Sequence, residues 1–264
     1  MHTRQKIIYY TDELNDEFAG DAIEPKHIDG EYPYIRRSIG QRIAHVFWYR
    51  IIATPLAAIY MKLHFHHRIV NGKVLKENAK SGYFMYGNHT HNVADALNPT
   101  MVNFPKEVAV IVHPNNVSMP VLGNITPYLG ALPLPDDMDA AKHFMNAIKY
   151  HIQQKHCIMI YPEAHIWPFY TDIRPFKDTS FRYPIQYHMP VYCFTNTYQK
   201  RRLSRKPNLV TYVDGPFYPN TELSVKEQKK ELRDRVYDTM KQRARLSNVQ
   251  VIKYQRKTKE IEEN

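Results

Sequence analysis

Residues 83–95 read YFMYGNHTHNVAD and join an apolar run to a cluster of two histidines and an aspartate. The apolar run predicts a buried strand, the Gly-Asn pair after it predicts a turn, and the residues after the histidines predict the start of a helix. In α/β sheets, functional sites form where parallel strands end. His89, His91 and Asp95 are therefore expected at the edge of a sheet, in a position suited to chemistry.

The same alternation of strands and helices continues along the chain. An amphipathic helix is predicted over 136–155, where apolar residues recur every four positions behind an aspartate cap, and another after Ser224, which opens a capping box. Further strands are predicted at 108–112, 131–134, 157–161, 191–196 and 209–213. This alternation predicts an α/β fold with a mostly parallel central sheet flanked by helices.

Composition narrows the class of protein. A chain of 264 residues with 43% hydrophobic residues predicts one main folded domain. The net charge of +10 favours anionic partners, such as lipid headgroups, nucleic acid or phosphorylated small molecules. The sequence has no nucleic-acid-binding motif, so no nucleic-acid partner is expected. Cys157 and Cys193 lie inside apolar runs and outside any C-x-x-C pair, which indicates reduced cysteines in the core. No secretory signal is visible, so the expected location is cytoplasmic.

The segment 43–63, IAHVFWYRIIATPLAAIYMKL, is mostly apolar but is interrupted by Arg50 and Pro55. Its uncharged stretch 51–61 is too short to cross a bilayer, which takes about 20 apolar residues. Two alternatives remain, and periodicity favours neither. The segment is either a helix lying in the membrane interface, with its aromatic rings at headgroup level, or a helix buried against the core of the protein.

The histidine cluster could belong to one of three kinds of site: a zinc site, a serine hydrolase site or a general base with its acidic partner. His89 and His91 have a spacing found in zinc sites, but the H-x-H-x-D-H pattern of metallo-β-lactamase-like hydrolases is absent. A serine hydrolase is not indicated, because the chain has no G-x-S-x-G. A histidine with an aspartate and no nucleophile of its own indicates a general base that activates a substrate hydroxyl. Asp95 would hold the imidazole in the tautomer that leaves one nitrogen free.

Three blocks of the chain resemble a known family in their order and spacing. The Asn-His pair at 88–89 with Asp95 is followed by Tyr-Pro-Glu at 161–163 and Met-Pro-Val at 189–191. These blocks resemble the glycerol-phosphate and lysophosphatidic acid acyltransferase family, whose members carry N-H-x4-D, F-P-E-G-T-R and a V-P-V strand. The resemblance covers residues 70–220.

The resemblance implies transfer of an acyl group from acyl-CoA or acyl-carrier protein to the hydroxyl of a lysophospholipid such as 1-acylglycerol-3-phosphate. It implies His89 as the base and Asp95 as its partner, with no cofactor and no metal. It also implies a peripheral protein on the cytoplasmic face of a membrane, docked on an anionic surface. The 43–63 helix would then be the docking element, so the resemblance favours the interfacial alternative.

The spacing of the first block departs from that of the family. Five residues separate His89 from Asp95, where the family has four. Either the turn bulges by one residue, or the base is His91, which lies one helical turn before Asp95. We favour His89 because it follows the strand directly and matches the Asn-His pair.

The second block departs in the residues that would contact the acceptor. Glu163 matches the family, but Ala164 and His165 replace Gly-Thr, and the following arginine is missing. Glu163 and His165 are expected in the acceptor site, with Glu163 binding glycerol hydroxyls or orienting the loop. Arg174 and Arg182 are the nearest candidates to hold an acceptor phosphate by a forked contact.

The segment 133–142, PLPDDMDAAK, lacks the arginine that the family places after a short apolar strand. A non-phosphorylated lipid or sugar acceptor is therefore an alternative, and a non-enzymatic basic membrane-binding protein is another. For the organisation of the chain we expect three parts. These are an N-terminal arm with the interfacial helix over 1–66, an acyltransferase α/β domain over 67–247, and a frayed tail over 248–264.

Overall fold

The computed structural model describes residues 6–19, 23–202, 204 and 206–257. The strands are β1 Lys6–Tyr10, β2 Arg68–Val70, β3 Tyr83–Gly87, β4 Val108–Val112, β5 Ala131–Pro133, β6 Cys157–Ile160, β7 Val191–Gln199, β8 Asn208–Phe217 and β9 Ile252–Arg256. The α-helices are α1 Ile39–His45, α2 Thr54–Phe65, α3 Asn92–Asn103, α4 Asn115–Ser118, α5 Leu122–Ile125, α6 Met138–Gln153, α7 Arg182–Gln186 and α8 Val225–Ala244. A π-helical segment, Val46–Ala53, joins α1 to α2, and short 3₁₀ turns lie at Gly72–Asn78, Thr126–Leu129 and Thr179–Phe181.

The central sheet has seven strands in the order β2-β8-β7-β3-β6-β4-β5. Neighbouring strands run parallel, except that β7 and β8 pair antiparallel. The predicted α/β class, with a mostly parallel sheet flanked by helices, is confirmed, and each of the six predicted strands overlaps an observed one. Continuous apolar runs mark these strands because helices cover both faces of a parallel sheet.

The strand β3 shows how the core is divided between the two faces of the sheet. Phe84 and Tyr86 point into a cluster that contains Phe144 of α6 and side chains of α8. Tyr83 and Met85 point to the other face, where the cluster includes a valine of α3. Alternation along the strand thus separates the α6 and α8 layer from the α3 layer, and the strand ends between the two layers at the histidine cluster.

The helical segment predicted at 43–63 runs from Ile39 to Phe65, beginning at a capping box on Ser38. One face of α2 packs on the domain through Thr54, Ala57, Met61 and Phe65. Along the whole segment Ile39–Phe65, large apolar side chains are exposed, among them Ile39, Ile43, Val46, Phe47, Ile51, Leu56, Ile59 and Leu63. Only 17% of its most apolar stretch is buried, so the helix packs against the core through one face and is not enclosed by it.

The helix Ile39–Phe65 is also longer than the sequence predicted. It is the one helix in the described ranges that is long and apolar enough to cross a membrane by length and composition.

Glu107, just before β4, binds this helix to the domain. The carboxylate of Glu107 lies 3.1 Å from His45 Nε2 and 3.2 Å from Arg50 Nη2, both on the helix, and 3.4 Å from His156 Nε2. The hydrogen bond from His45 and the nearby cations lower the pKa of Glu107 to about 2, against the effect of its partial burial.

The two ends of the chain meet in a small sheet that the sequence did not predict. β1 and β9 pair in parallel, with Lys6 opposite Ile252. Tyr254 of β9 stacks on Trp167 at 4.9 Å between ring centroids, which fixes the pair on the domain. The expectation of a frayed tail is therefore wrong for 252–256, while 258–264 lies outside the described residues.

Candidate active site

The turn after β3 brings the histidine cluster against β7. A Cβ on Gly87 would lie 2.5 Å from the Phe194 ring, so only glycine allows this close approach. The next residue, Asn88, uses its side chain as a backbone mimic: its Oδ1 accepts from Asn196 N at 2.7 Å, and its Nδ2 donates to Asn196 O at 3.0 Å. The side chain of Asn88 therefore extends the pairing of β3 and β7 beyond the end of β3.

His89 and Asp95 form a hydrogen-bonded pair at this edge of the sheet. His89 Nδ1 donates to Asp95 Oδ2 over 2.9 Å, and the same oxygen accepts the backbone N–H groups of Thr90 at 2.6 Å and His91 at 2.8 Å. Asn196 Nδ2 donates to Asp95 Oδ1 at 3.2 Å. The carboxylate is 2% exposed and the imidazole 18%, so the imidazole is the accessible member of the pair, and its Nε2 has no hydrogen-bond partner among the residues that the structure describes.

His91 has a different part in the structure. Its Nδ1 accepts from the backbone N–H groups of Val93 at 3.2 Å and Ala94 at 3.3 Å, which makes it the N-cap of α3. Burial lowers its pKa and keeps Nδ1 available as an acceptor. Asp95 is therefore paired with His89, and the extra residue between them is absorbed by a turn whose two amides Asp95 binds.

Tyr161 supports the pair from the end of β6, a contact that sequence reasoning missed. Its ring stacks on the imidazole of His89, with centroids 4.3 Å apart and planes at 15°. Its hydroxyl donates to the backbone carbonyl of Asp95 at 2.5 Å. In a helix that carbonyl would accept from the residue four positions on, but this residue is Pro99, which has no N–H. A tyrosine in place of the family's phenylalanine, together with a proline four residues after Asp95, was the available signal.

A buried polar network continues from Asp95 into the sheet. The Oδ1 of Asn196 accepts from Asn98 Nδ2 and from Thr211 Oγ1, both at 2.7 Å. Thr211 Oγ1 is in turn 2.8 Å from Nε2 of His67. Burial lowers the pKa of His67 to about 4. Because Thr211 Oγ1 donates its one hydrogen to Asn196, it accepts from His67 Nε2. These contacts fix which end of the Asn196 amide faces Asp95.

Glu163 lies beneath the cluster and does not face open space. Its side chain is fully buried, with Oε2 3.5 Å from Arg174 Nε and 3.5 Å from the backbone nitrogen of His89. Burial raises the pKa of Glu163 to about 8, and the long contact with Arg174 only partly opposes this shift. In this structure Glu163 therefore supports the His89 backbone, and the expected direct contact with an acceptor is not available to it.

Arg174, the first candidate for an acceptor phosphate, is also enclosed. Its guanidinium donates to the carbonyls of Glu13, Glu163 and His165 and lies over the ring of Trp167. The side chain is 0% exposed. The expectation that Arg174 holds a phosphate is therefore wrong for this structure, because the loop carbonyls already take its donors.

The other two predicted acceptor residues have partners outside the His89–Asp95 pair. Arg182 begins α7, and its guanidinium donates to the hydroxyl of Tyr183 at 3.3 Å and lies over that ring. His165 Nδ1 is 2.9 Å from Oε2 of Glu17, in the N-terminal arm. Ala164, where the family has glycine, has a φ of 64°, which explains the family's residue at this position.

An apolar groove of about 720 Å³ runs between α2 and α3 beside the cluster. His64 in its wall is next to Phe65, whose ring contacts His91 at 4.9 Å between centroids. The groove is lined by Ala53, Leu56, Ala57, Ile59, Tyr60, Leu63, His64, Val93 and Leu97. Val93, in the lining, comes two residues after His91, so the groove lies next to the first turn of α3. Within the described part of the chain, no group of three or more His, Cys, Asp or Glu side chains is arranged to hold a metal ion.

No protein-family model and no curated protein matches this sequence. Among solved structures, the fold is similar to the crystal structure of the 1-acyl-sn-glycerophosphate (LPA) acyltransferase PlsC from Thermotoga maritima. The TM-score is 0.50 at 12% sequence identity, and the match covers 78% of this chain and 98% of that chain. At this identity the likeness shows a shared fold, and it supports at the level of the fold the resemblance drawn from the three sequence blocks.

Proposed function

We propose that this chain is an O-acyltransferase that moves an acyl group from a thioester, acyl-CoA or acyl-carrier protein, to a lipid hydroxyl. The observation that carries the proposal is the His89–Asp95 pair at the carboxyl end of β3, in which Nδ1 is bound to the carboxylate and Nε2 has no hydrogen-bond partner in the described part of the chain. This is the arrangement a general base requires. The similarity in fold to an acyltransferase supports the reaction class.

The reaction follows from the geometry of the pair. Nε2 of His89 takes the proton from the acceptor hydroxyl as the hydroxyl oxygen bonds to the thioester carbonyl carbon. The carbon–sulfur bond then breaks, and the thiolate takes the proton from the imidazolium, which leaves an ester and a free thiol. Asp95 stabilises the imidazolium formed in between. The stacked ring of Tyr161 fixes the plane of the imidazole throughout.

The groove between α2 and α3 is the proposed site for the acyl chain. Its walls are mainly aliphatic, and its lining includes Val93, two residues after His91 in the first turn of α3. An extended acyl chain lying there would place its thioester near His89. The same helix, Ile39–Phe65, exposes an apolar face, and we propose that it holds the protein as a peripheral protein on the cytoplasmic face of an anionic membrane.

For the acceptor, the resemblance implies 1-acylglycerol-3-phosphate. One observation favours the second candidate, an acceptor hydroxyl without a phosphate beside it. Arg174 is enclosed by loop carbonyls, and the carboxylate of Glu17 already occupies His165 and the backbone nitrogen of Ile166. Both acceptors are therefore compared in the test.

The test measures free-thiol release from palmitoyl-CoA and from palmitoyl-carrier protein on vesicles. Each donor is assayed with lysophosphatidic acid, with monoacylglycerol and with no acceptor. His89→Ala is expected to lower acceptor-dependent release about 100- to 10,000-fold, the usual cost of a lost general base. His91→Ala is the matched control, since it removes the cap of α3 and is expected to cost about 1 kcal/mol of stability with little loss of turnover.

The outcomes separate the alternatives. If His91→Ala abolished turnover and His89→Ala retained it, the assignment of the base would be wrong. If the unsubstituted chain released no thiol with either donor and any acceptor, the transferase proposal would fail in favour of a membrane-binding protein whose His-Asp pair is structural.

A further inference from the structure

The positive charge of the chain is concentrated in two segments. Residues 32–76 contain eight Lys and Arg, residues 196–213 contain five, and neither segment contains Asp or Glu. The rest of the chain has 23 basic and 26 acidic residues, so it is slightly negative. The net charge of +10 therefore belongs to these two segments and is not spread over the surface.

The structure brings the two segments together. His66 ends α2 in the left-handed conformation, and its Nε2 bonds to the guanidinium of Arg201 in the connection between β7 and β8. We call Lys200, Arg201, Arg202 and Lys206 the basic hairpin. Lys200, Arg202 and Lys206 are exposed. The hairpin is thus fixed to the end of the helix Ile39–Phe65.

The basic hairpin adjoins the apolar face of the helix. Lys62 and Leu63 come three and four residues after Ile59, so these side chains lie on one face of α2, and His66 follows seven residues after Ile59 as the C-cap. Ile59 is 56% and Leu63 70% exposed. The apolar face therefore runs directly into the cations of Lys62 and the hairpin, which is the charge pattern of a surface that inserts apolar side chains below anionic headgroups.

The hairpin also lies at the same end of the sheet as the His89–Asp95 pair. β3 and β7 are parallel, with Gly87 opposite Phe194, and β7 continues in the same direction to Gln199 before the hairpin begins. A membrane in contact with both the helix face and the hairpin would lie at the carboxyl edge of the sheet. That edge carries His89, whose imidazole is 18% exposed.

We infer that the basic hairpin is a second membrane contact, which binds anionic lipid headgroups and orients the His89 edge toward the bilayer. The inference deepens the membrane association proposed above. Each Lys or Arg near an anionic surface contributes about 1 kcal/mol, and a tenfold change in affinity corresponds to about 1.4 kcal/mol. Removing three hairpin cations is therefore expected to weaken binding to anionic vesicles about 100-fold.

The test compares two triple variants of the full chain in vesicle co-sedimentation. One is Lys200→Gln/Arg201→Gln/Arg202→Gln. The matched control, Lys149→Gln/Lys226→Gln/Lys230→Gln, removes the same charge from exposed sites on α6 and α8, which pack on the other face of the sheet. Vesicles contain phosphatidylcholine with or without phosphatidylglycerol, and thermal unfolding verifies that each variant is folded.

The hairpin variant is expected to lose affinity about 100-fold for the anionic vesicles and to bind the neutral vesicles unchanged, while the control binds both as the unsubstituted chain does. Raised salt should abolish the difference between the hairpin variant and the unsubstituted chain. Equal losses in both triple variants would show an effect of net charge and overturn the inference. So would a hairpin variant that binds vesicles normally but loses binding to single-stranded RNA.

Failure of this inference can be told apart from failure of the proposed transferase. Thiol release by the unsubstituted chain, from a short-chain thioester with a water-soluble acceptor and without vesicles, reports on the chemistry alone. Absence of that release refutes the transferase and leaves the vesicle comparison standing. Normal release, together with unaltered vesicle binding by the hairpin variant, refutes only the second membrane contact.

Discussion

Replacing Tyr161 with Phe tests the link between β6 and the helix that carries Asp95. Pro99 cannot supply the N–H that would normally bond to the carbonyl of Asp95, and the Tyr161 hydroxyl takes its place at 2.5 Å. Tyr161→Phe keeps the ring that stacks on His89 and removes only this hydrogen bond. The variant therefore separates the support of the α3 backbone from the support of the imidazole.

The size of the effect follows from the burial of Asp95. The residue is 2% exposed, so its carbonyl cannot exchange the lost hydroxyl for bulk water. Leaving a buried acceptor unsatisfied costs about 1–3 kcal/mol, and this is the expected fall in the free energy of unfolding. Turnover should fall less than about tenfold, because the stacked ring still orients His89. Tyr161→Leu, which removes the ring as well, should lower turnover further.

The assay is urea unfolding of a double-mutant cycle with Pro99→Ala. Alanine at position 99 restores the backbone N–H that can donate to the Asp95 carbonyl. The loss caused by Tyr161→Phe should therefore shrink by about 1 kcal/mol or more when residue 99 is alanine. If the two substitutions were additive within about 0.5 kcal/mol, the usual limit for independent sites, the Tyr161 hydroxyl would not replace the missing Pro99 donor and the reasoning would be refuted.

Three further substitutions test the charges around the site. Asp95→Asn should lower kcat/KM for thiol release by about 10⁴-fold, the loss that the same change causes in a serine protease triad. Glu163→Gln should flatten the pH dependence of stability in urea titrations. The folded-state pKa of Glu163 is raised from 4.5 to about 8, so its contribution is present at low pH and is lost as pH rises through that window. Glu107→Gln should have the opposite signature: its pKa is lowered to about 2, so its contribution is present above 4.5 and is lost as pH falls toward 2. Urea midpoints whose pH dependence matches that of the unsubstituted chain would refute either assignment.

The sheet was predictable because its strands are local and apolar. Runs such as CIMI in β6 are buried on both faces and stand out without any knowledge of their partners. The pairing of β1 with β9 was not predictable in the same way. It joins residues about 250 positions apart through short segments, KIIYY and IKYQR, in which charged and apolar residues mix. The tail therefore resembled a frayed end until its partner was known.

The histidine cluster was visible in the sequence, but the hydrogen bonds among its residues were not. Spacing left His89 and His91 as alternatives, because it cannot show which backbone amides Asp95 binds. Arg174 was expected to hold a phosphate because of its charge, whereas its 0% exposure is a property of the folded loop and the N-terminal arm that covers it. Residue type gives the chemistry that a side chain can perform, and burial decides whether a ligand can reach it.

The central run of β7 explains how a buried carboxylate is accommodated at the edge of this sheet. A buried charge is tolerated only when its oxygens are fully hydrogen-bonded. Thr195, Asn196 and Thr197 form a polar run in the middle of β7, after the apolar residues 191–194, and each is at most 1% exposed. Buried polar residues are uncommon and informative. Here the side chain of Asn196 donates to Asp95, and its backbone carbonyl accepts from the side chain of Asn88. The run TNT on β7 therefore supplies the hydrogen-bond partners of the cluster NHTHNVAD. The two stretches are far apart in sequence, but the parallel pairing of β3 with β7 makes them one structural unit.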